Sequence, residues 1–156
     1  MTDTPTPFLR RRYRIEWGQC DPAGIVYAPR YLDMFGESTI LLFEVAGLPK
    51  KRRMLAELGV AGFPMVDVSA RFLRPTAYGD DVVIEADAPL FGNSSFTIEH
   101  RLISDGALCV ACTEKRVWTI PDPERPGRLR AQRVPDSIRN LFVNPKKPLP
   151  LSPSQE

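Results

Sequence analysis

One aspartate of this 156-residue chain, Asp21, lies in a turn sequence directly before a long helical pattern. The first N–H groups of a helix have no partner inside the helix, and the helix dipole adds partial positive charge there. Because an aspartate is ionised at neutral pH, Asp21 can serve as a nucleophile or a general base. Beside a helix start, it is suited to attack on a carbonyl group whose oxygen becomes an anion. Turn formation or helix capping explains an aspartate at this position equally well.

The other nucleophile and metal-ligand candidates fit structural roles better. The only histidine, His100, shares strand parity with apolar neighbours, which is typical of a packed core residue. Cys109 and Cys112 have Cys-x-x-Cys spacing, but residues three apart on a strand point to opposite faces, so we expect small buried side chains rather than a metal site. Cys20 has no visible base beside it. The sequence contains no Gly-x-Ser-x-Gly, Walker-type or Gly-x-Gly-x-x-Gly motif.

The composition favours an ordinary soluble domain. There are 21 basic and 19 acidic residues, a net charge of +2, which does not suggest a nucleic-acid or membrane surface. No apolar stretch is long enough to span a bilayer, and we expect no signal peptide at residues 1–7. Three cysteines without a secretory signal predict free thiols and a cytoplasmic location.

The residues around Asp21 are positioned by a first strand, predicted over 12–19, and by a helix over 29–46. Pro29 suits the first helical position, and Gly47 suits the residue after the last turn. A buried stripe at three- and four-residue steps is predicted at Leu32, Phe35, Thr39, Leu42, Phe43 and Ala46. A short basic helix is predicted over 50–58.

From residue 65 the apolar period changes from 3.6 to 2, which predicts strands over 65–74, 81–91, 95–104 and 107–120. A short strand at 129–134 and a helical piece at 135–142 follow. We therefore predict an α+β fold of one domain over 10–143, with a flexible arm at 1–9 and a proline-rich disordered tail at 144–156. Because one helix cannot cover both faces of a five-stranded sheet, a second copy of the chain is expected to bury the rest.

The spacing around Asp21 resembles the signature of the 4-hydroxybenzoyl-CoA thioesterase family of hotdog-fold proteins. The match consists of Arg14-Ile15, Cys20-Asp21, Gly24-Ile25-Val26, Tyr27 and Tyr31, with looser matches in Gly47-Leu48-Pro49, Gly62-Phe63-Pro64, Phe72-Leu73-Arg74-Pro75 and Tyr78-Gly79-Asp80-Asp81. It covers residues 10 to 135. The resemblance implies an antiparallel five-stranded sheet wrapped around one long central helix, in homodimers whose sheets join and which pair further into tetramers.

The resemblance also implies an acyl-CoA thioesterase whose active sites lie at the dimer interface. The catalytic carboxylate falls on Asp21, and the oxyanion donor falls on the backbone N–H of Ala28, with Gly62 of the other chain as a weaker donor. Asp21 either attacks the thioester carbonyl or activates a water molecule. No cofactor is expected, since coenzyme A is part of the substrate.

Further site residues follow from the same resemblance. Substrate contacts are expected at Tyr27, Tyr31, Phe63, Pro64 and Asp67, and phosphate contacts at Arg71, Arg74, Lys50 and Lys51. The sequence departs from the family at Ala28, where many acyl-CoA relatives have histidine, and at Gly36, where the aryl-specific branch has an acid that binds the ring hydroxyl. It departs again at 92–94, where CoA-binding basic residues are replaced by Gly-Asn-Ser.

These departures favour a benzoyl-type or medium-chain acyl group over 4-hydroxybenzoyl, because a buried hydroxyl without a partner costs about 1–3 kcal/mol. Two alternatives stay open at this point. A hotdog dehydratase or hydratase would need a histidine with a carboxylate, which the position of His100 does not suggest. A non-catalytic acyl-thioester-binding protein would bind acyl-CoA without turnover.

Overall fold

The computed structural model of the chain describes residues 6–143. The elements in order are β1 (Leu9–Arg14), α1 (Ala28–Ala46), α2 (Lys51–Leu58), β2 (Met65–Phe72), β3 (Asp81–Ala86), β4 (Leu90–Phe91), β5 (Ser95–Ser104), β6 (Ala107–Val117), β7 (Thr119–Pro121), β8 (Leu129–Ala131) and α3 (Asp136–Asn140). The predicted tail, and residues 1–5 of the predicted arm, lie outside this range. None of the helices in it is long and apolar enough to cross a membrane.

Five strands form one antiparallel sheet in the order β1-β3-β5-β6-β2, and the long helix α1 packs against it, so the predicted α+β architecture is confirmed. The two-residue β4 pairs with β5, and β7 pairs with β8 as a separate ribbon. The sequence predicted one strand over 81–91, but the structure divides it after Ala86. Pro89 lies in the interruption, where its missing N–H would leave a gap in the ladder.

Helix α1 begins and ends close to the predicted positions. Pro29 occupies the first turn, and Gly47 ends the helix with φ of 122°, a conformation that favours glycine. The buried side chains are Tyr31, Met34, Phe35, Ser38, Thr39, Leu42 and Phe43. Leu32 and Ala46, predicted in the buried stripe, are only half-buried. The helix face that packs against the sheet is therefore rotated slightly from the predicted stripe, and it includes Tyr31.

The first strand is shifted from its predicted position at 12–19. It begins at Leu9, which is buried, and it pairs with β3 only as far as Arg14. A 3-10 turn at Trp17–Gln19 then leads to Asp21, and Trp17, which falls within the predicted strand, is 79% exposed. Backbone pairing stops one residue after Arg14, at Ile15, whose N–H donates to Asp80 O and whose carbonyl oxygen accepts from Gly79 N, both at 2.9 Å. Apolar and polar residues continue to alternate in the sequence beyond the residues that pair in the sheet, so the predicted strand extends too far towards Gln19.

Strand β2 at the sheet edge has no face buried within the protomer. Val66, Val68, Ala70 and Phe72 alternate with polar residues along the strand, yet Val66 is 57% and Phe72 is 52% exposed. One edge of β2 pairs with β6, and the other edge has no strand partner in the described range. The apolar residues of β2 are therefore mostly uncovered by residues 6–143.

A polar cluster lies in the core between two groups of apolar side chains. Thr39, His100 and Glu114 are all at most 1% exposed. The Thr39 hydroxyl donates to Glu114 Oε2 at 2.8 Å, and Arg116 Nε donates to the same oxygen at 2.9 Å. His100 Nε2 lies 3.4 Å from that oxygen, and the imidazole stacks on Phe35 at 5.1 Å between ring centroids. His100 is therefore a core residue.

This cluster makes stability depend on pH in the acid range. Burial by itself raises the pKa of Glu114, but hydrogen bonds and positive charge from His100 and Arg116 outweigh it and lower the pKa from 4.5 to about 2. A depressed folded-state pKa stabilises the protein above the unfolded value, and this contribution is lost as the pH falls from 4.5 towards 2. The difference corresponds to about 3 kcal/mol. We expect Glu114→Gln to remove this part of the acid sensitivity.

The measurement is the free energy of unfolding at pH 5 and at pH 2.5, by urea titration. The wild type should lose more stability between the two values than Glu114→Gln, although the variant is less stable at pH 5. Glu124→Gln, on an exposed loop, is the matched control and should follow the wild type. Equal acid losses in wild type and Glu114→Gln would contradict the assignment of the low pKa.

Candidate active site

Asp21 lies in a tight turn that the structure closes with backbone hydrogen bonds. Cys20 and Val26 form an antiparallel bridge, and Asp21 N donates to Ile25 O at 3.1 Å. Gly24 N donates to Asp21 O at 2.9 Å with φ of 82° at the glycine, so the turn needs a residue that tolerates positive φ. One carboxylate oxygen, Oδ1, accepts the Ala23 N–H at 2.8 Å. The other oxygen has no partner among residues 6–143. The carboxylate is thus anchored at one oxygen and available at the other.

The start of α1 follows this turn directly. Tyr27 N donates to Gln19 O at 2.9 Å, and Arg30 N donates to Tyr27 O at 2.8 Å. Pro29 has no N–H. The N–H of Ala28 donates to no acceptor within the described residues, and it lies where the helix dipole favours negative charge. It is the backbone donor that the sequence predicted for an oxyanion.

A cavity of about 320 Å³ opens beside this helix start. It lies between the Asp21 turn, the first turn of α1 and the segment that follows β2. Its walls are mostly apolar and are formed by Ile25, Val26, Ala28, Tyr31, Phe72, Leu73, Arg74 and Pro75. Asp21 does not line it directly but lies in the adjoining turn. Ala28 and Arg74 therefore line the cavity, and Asp21 lies in the turn that leads to its first lining residue, Ile25.

Long-range hydrogen bonds hold the two walls together. The hydroxyl groups of Tyr31 and Thr76 are 2.6 Å apart, and Val26 N donates to Thr76 O at 2.8 Å. The Tyr31 ring is 4% exposed and packs against Phe72 at 5.8 Å between centroids. Tyr31 was predicted to contact substrate, and the structure makes it both a wall of the cavity and an anchor of the helix start.

The other predicted substrate contacts lie apart from this cavity within one protomer. Phe63 is a core residue, because its ring packs between Phe43 at 4.8 Å and Trp118 at 5.3 Å, and its side chain is not available to a substrate. Pro64 and Asp67 are exposed, at and just before the uncovered strand β2. Tyr27, 53% exposed, adjoins Ala28 but does not line the cavity.

The predicted second donor, Gly62, lies at the opposite end of the sheet from the helix start. Its carbonyl oxygen accepts the backbone N–H of Thr119 at 3.1 Å and its hydroxyl at 2.8 Å. Lys51 Nζ donates to the neighbouring Ala61 O at 3.0 Å. Lys50 precedes α2 and is exposed. Within a single protomer, the structure does not bring Gly62, Lys50 or Lys51 to the cavity.

Of the basic residues predicted to meet phosphates, Arg74 lines the cavity and Arg71 is exposed on β2. At the turn 92–94, which lacks basic residues of its own, the guanidinium of Arg139 is present. Its Nη2 donates to Gly92 O at 2.6 Å and to Asn93 O at 2.8 Å, and it covers the Phe91 ring. A positive charge from α3 thus lies at this turn.

The cysteines have structural surroundings. All three are free thiols, and Cys109 and Cys112 are each 2% exposed. Burial, followed by the negative charges of Glu114 and Glu99, raises the pKa of the Cys112 thiol to about 12, which makes it a poor nucleophile. In the part of the chain that the structure describes, no group of three or more His, Cys, Asp or Glu side chains could hold a metal ion.

Sequence reasoning missed two parts of this region. The apolar walls of the cavity come from residues 25–31 and residues 72–75, and the sequence motifs marked both segments without predicting that they meet. Sequence reasoning also missed Arg116, whose guanidinium lies beside Gly36 of α1. A signal was present, because Glu114 and Arg116 share the parity of the buried Cys112 on β6, and paired charges at core positions are unusual.

Comparison with known proteins gives named CoA thioesterases and hydrolases among the relatives. The 4-hydroxybenzoyl-CoA thioesterase of Pseudomonas sp. strain CBS-3 is 35% identical over 132 residues, which are 81% of this chain and 92% of that protein. The 1,4-dihydroxy-2-naphthoyl-CoA hydrolase of Synechococcus elongatus is 30% identical over 88 residues, 56% of this chain and 64% of that protein.

A solved structure of 4-hydroxybenzoyl-CoA thioesterase superposes with a TM-score of 0.78, at 31% identity, over 86% of this chain and 97% of that chain. That protein is an aspartate-to-asparagine mutant in complex with 4-hydroxybenzoyl-CoA. A family model described as the thioesterase-like superfamily matches residues 15–142. The resemblance inferred from the sequence is confirmed: the chain belongs to the thioesterase-like superfamily, with a hotdog fold, and it is a thioester hydrolase.

Proposed function

We propose that the protein hydrolyses an acyl-CoA thioester, with an aryl or medium-chain acyl group, to a carboxylic acid and coenzyme A. One observation carries the proposal. Asp21, with one carboxylate oxygen free, lies in the turn seven residues before Ala28, the first residue of α1, which has a free N–H and lines an apolar cavity. The named relatives act on 4-hydroxybenzoyl-CoA and 1,4-dihydroxy-2-naphthoyl-CoA, which supports an aromatic acyl group.

In the proposed reaction the thioester carbonyl oxygen accepts the Ala28 N–H, and the helix dipole stabilises the negative charge that develops on it. The free oxygen of Asp21 either attacks the carbonyl carbon, which gives an acyl-aspartyl anhydride that water then hydrolyses to the carboxylic acid and free Asp21, or removes a proton from a water that attacks the carbonyl carbon directly. Coenzyme A leaves as the thiolate in both routes. Oδ1 remains bound to the Ala23 N–H and keeps the carboxylate oriented. The chemistry requires no cofactor beyond the coenzyme A of the substrate.

The cavity suits the acyl side of the thioester better than the nucleotide. Its walls are largely apolar, which matches an aromatic ring or an alkyl chain. Arg74 on its wall, and Arg71 on the neighbouring strand, are the candidate partners for CoA phosphates. Arg139 at the turn 92–94 adds a further positive charge for the nucleotide.

We propose that the active protein is a homodimer, and that dimers pair into a tetramer. The uncovered edge and faces of β2 support this, because Val66, Val68 and Phe72 would be buried by a second copy. Phe72 also lines the cavity, so a partner seated on β2 would complete the site. It could bring Gly62, Pro64 and Asp67 of the partner subunit towards the substrate. Sedimentation of the whole chain as a monomer would contradict this proposal.

The free cysteines and the balanced charge support a cytoplasmic location. The alternative of a dehydratase or hydratase finds no support in the structure, because His100 is packed in the core against Phe35. A non-catalytic binder would have the same cavity, and only turnover distinguishes the two.

The decisive experiment is an acyl-CoA panel with detection of released thiol. The panel contains benzoyl-CoA, 4-hydroxybenzoyl-CoA, octanoyl-CoA and acetyl-CoA, with binding of each measured by calorimetry. We expect turnover of the benzoyl or octanoyl thioesters well above that of acetyl-CoA, because a larger apolar group fills the cavity. Binding without release of thiol over the whole panel would overturn hydrolysis and select the binder.

A further inference from the structure

The start of α1 is held by a contact with a distant segment and not by a side-chain cap. The cap residue Tyr27 makes no side-chain hydrogen bond to the first turn, and this turn contains no acidic residue. A first turn without a cap is prone to fray, because its N–H groups have no partner inside the helix. The hydroxyl of Tyr31, at the end of this turn, lies 2.6 Å from the hydroxyl of Thr76. Both residues are buried, Tyr31 at 4% and Thr76 at 2% exposure.

Thr76 is itself fixed to the sheet. The N–H of the next residue, Ala77, donates to Asp80 Oδ2 at 2.8 Å, and Asp80 O accepts the N–H of Ile15 at 2.9 Å. Asp80 directly precedes β3, and Ile15 directly follows β1. The position of Thr76 is therefore set by the sheet, and its contact with Tyr31 ties the first turn of α1 to that sheet.

The hydroxyl and the backbone of Thr76 have different roles in this contact. The backbone C=O accepts the N–H of Val26 at 2.8 Å, which holds the end of the Asp21 turn, and the backbone N–H donates to the Tyr31 hydroxyl at 3.3 Å. The side-chain hydroxyl makes the shorter contact with Tyr31. Tyr31 lies three residues after Ala28, on the same side of the helix, and both line the cavity. The hydroxyl of Thr76 thus acts on the turn of α1 that begins with the free N–H.

We propose that Thr76 is a positioning residue for thioester hydrolysis, whose hydroxyl acts through Tyr31 to hold the Ala28 N–H in line with the carbonyl oxygen. The inference rests on the proposed function and adds to it a residue that does not itself line the cavity. An oxyanion donor acts mainly in the transition state, and a small displacement weakens its hydrogen bond there. Loss of the Thr76 hydroxyl should therefore lower kcat and leave KM nearly unchanged.

The test compares variants that remove or keep this hydroxyl. Thr76→Val replaces it with a methyl group of similar size, and Thr76→Ser keeps it. Values of kcat and KM are measured with the best substrate of the acyl-CoA panel, and melting temperatures are recorded in parallel. We expect Thr76→Val to lower kcat by about tenfold, with KM within about twofold of the wild type, and Thr76→Ser to recover most of the loss. Thr113→Val is the matched control, because the Thr113 hydroxyl donates to Glu99 on the sheet, and it should keep the wild-type kcat.

A second measurement separates positioning from a purely structural role. Thr76→Val is combined with Ala28→Pro, which lacks the backbone donor. If the hydroxyl acts through the Ala28 N–H, its removal should lower kcat by less than about twofold in this background. A purely structural role would cost the same factor in both backgrounds. Tyr31→Phe removes the same bond from the other side, and we expect it to behave as Thr76→Val does, alone and beside Ala28→Pro.

The outcomes separate this inference from the proposed function. Three results would overturn the role of Thr76 while thioester hydrolysis stands: wild-type kcat in Thr76→Val, a loss of equal size in Thr76→Ser, or an undiminished loss beside Ala28→Pro. A loss in Tyr31→Phe that Thr76→Val does not share overturns it as well, and assigns the Tyr31 hydroxyl a direct contact with the substrate. If no acyl-CoA of the panel is hydrolysed, the proposed function fails, and the inference fails with it. Should Thr76→Val not fold, Tyr31→Phe decides, alone and beside Ala28→Pro.

Discussion

Asp21→Asn is expected to lower kcat for acyl-CoA hydrolysis by at least about a hundredfold, with little change in thermal stability. Asparagine keeps the side-chain oxygen that accepts the Ala23 N–H, so the turn that closes on Val26 is retained. What it removes is the negative charge and basicity of the free oxygen, which both routes of the proposed reaction require. The measurement is thiol release at saturating substrate, with the melting temperature recorded in parallel.

Asp105→Asn is the matched control for this prediction. Asp105 has φ of 50° in the turn between β5 and β6, a conformation that asparagine also tolerates. The same chemical change there should leave kcat at the wild-type value. Full activity of Asp21→Asn would show that Asp21 is the turn-forming residue that its sequence also allowed, and the catalytic assignment would be withdrawn.

Ala28→Pro is expected to lower kcat by about a hundredfold or more while the helix still forms. Proline is accepted in the first turn of a helix because the N–H it lacks has no partner there. The preceding residue, Tyr27, has φ of −68° and ψ of 122°, which a residue before proline adopts without strain. The substitution therefore deletes one backbone donor at the proposed oxyanion position. Both kcat and KM are measured, since a donor used mainly in the transition state affects kcat.

The control for Ala28→Pro must match its bulk, because the pyrrolidine ring enters the cavity that Ala28 lines. Ala28→Val adds similar volume but keeps the N–H. We expect Ala28→Val to retain most of kcat, with a change in KM at most. An equal loss in both variants would assign the effect to cavity volume and not to the N–H. An unchanged kcat in Ala28→Pro would remove the backbone N–H from the mechanism.

The features that the sequence predicted well depend on near neighbours. Pro29 and Gly47 delimit α1 because proline fits a helix start and glycine adopts the positive φ at its end. The turn at Asp21 follows from proline, glycine and a side-chain acceptor within four residues. The turn at Asp105-Gly106 joins β5 and β6 in the same way. In each case the interacting groups are adjacent along the chain, so residue type alone is informative.

The tertiary structure decided what depends on residues far apart. Trp17 continues the alternation of β1 but is exposed, because backbone pairing with the segment that leads into β3 stops at Ile15. The apolar face of β2 remains uncovered, because its position at the sheet edge follows from the pairing order and not from its own residues.

The candidate site also combines features that the local sequence determines with features that only the fold determines. The sequence determined that a carboxylate precedes a helix with a free N–H, since both lie within eight residues. Only the fold brings residues 72–75 to that helix start, through Thr76 and its bonds to Tyr31 and Val26. Only the fold places Arg116 against Gly36, 80 residues earlier in the chain. A local pattern can encode a reactive group, whereas the shape and polarity around it depend on strand pairing and helix packing that no single segment specifies.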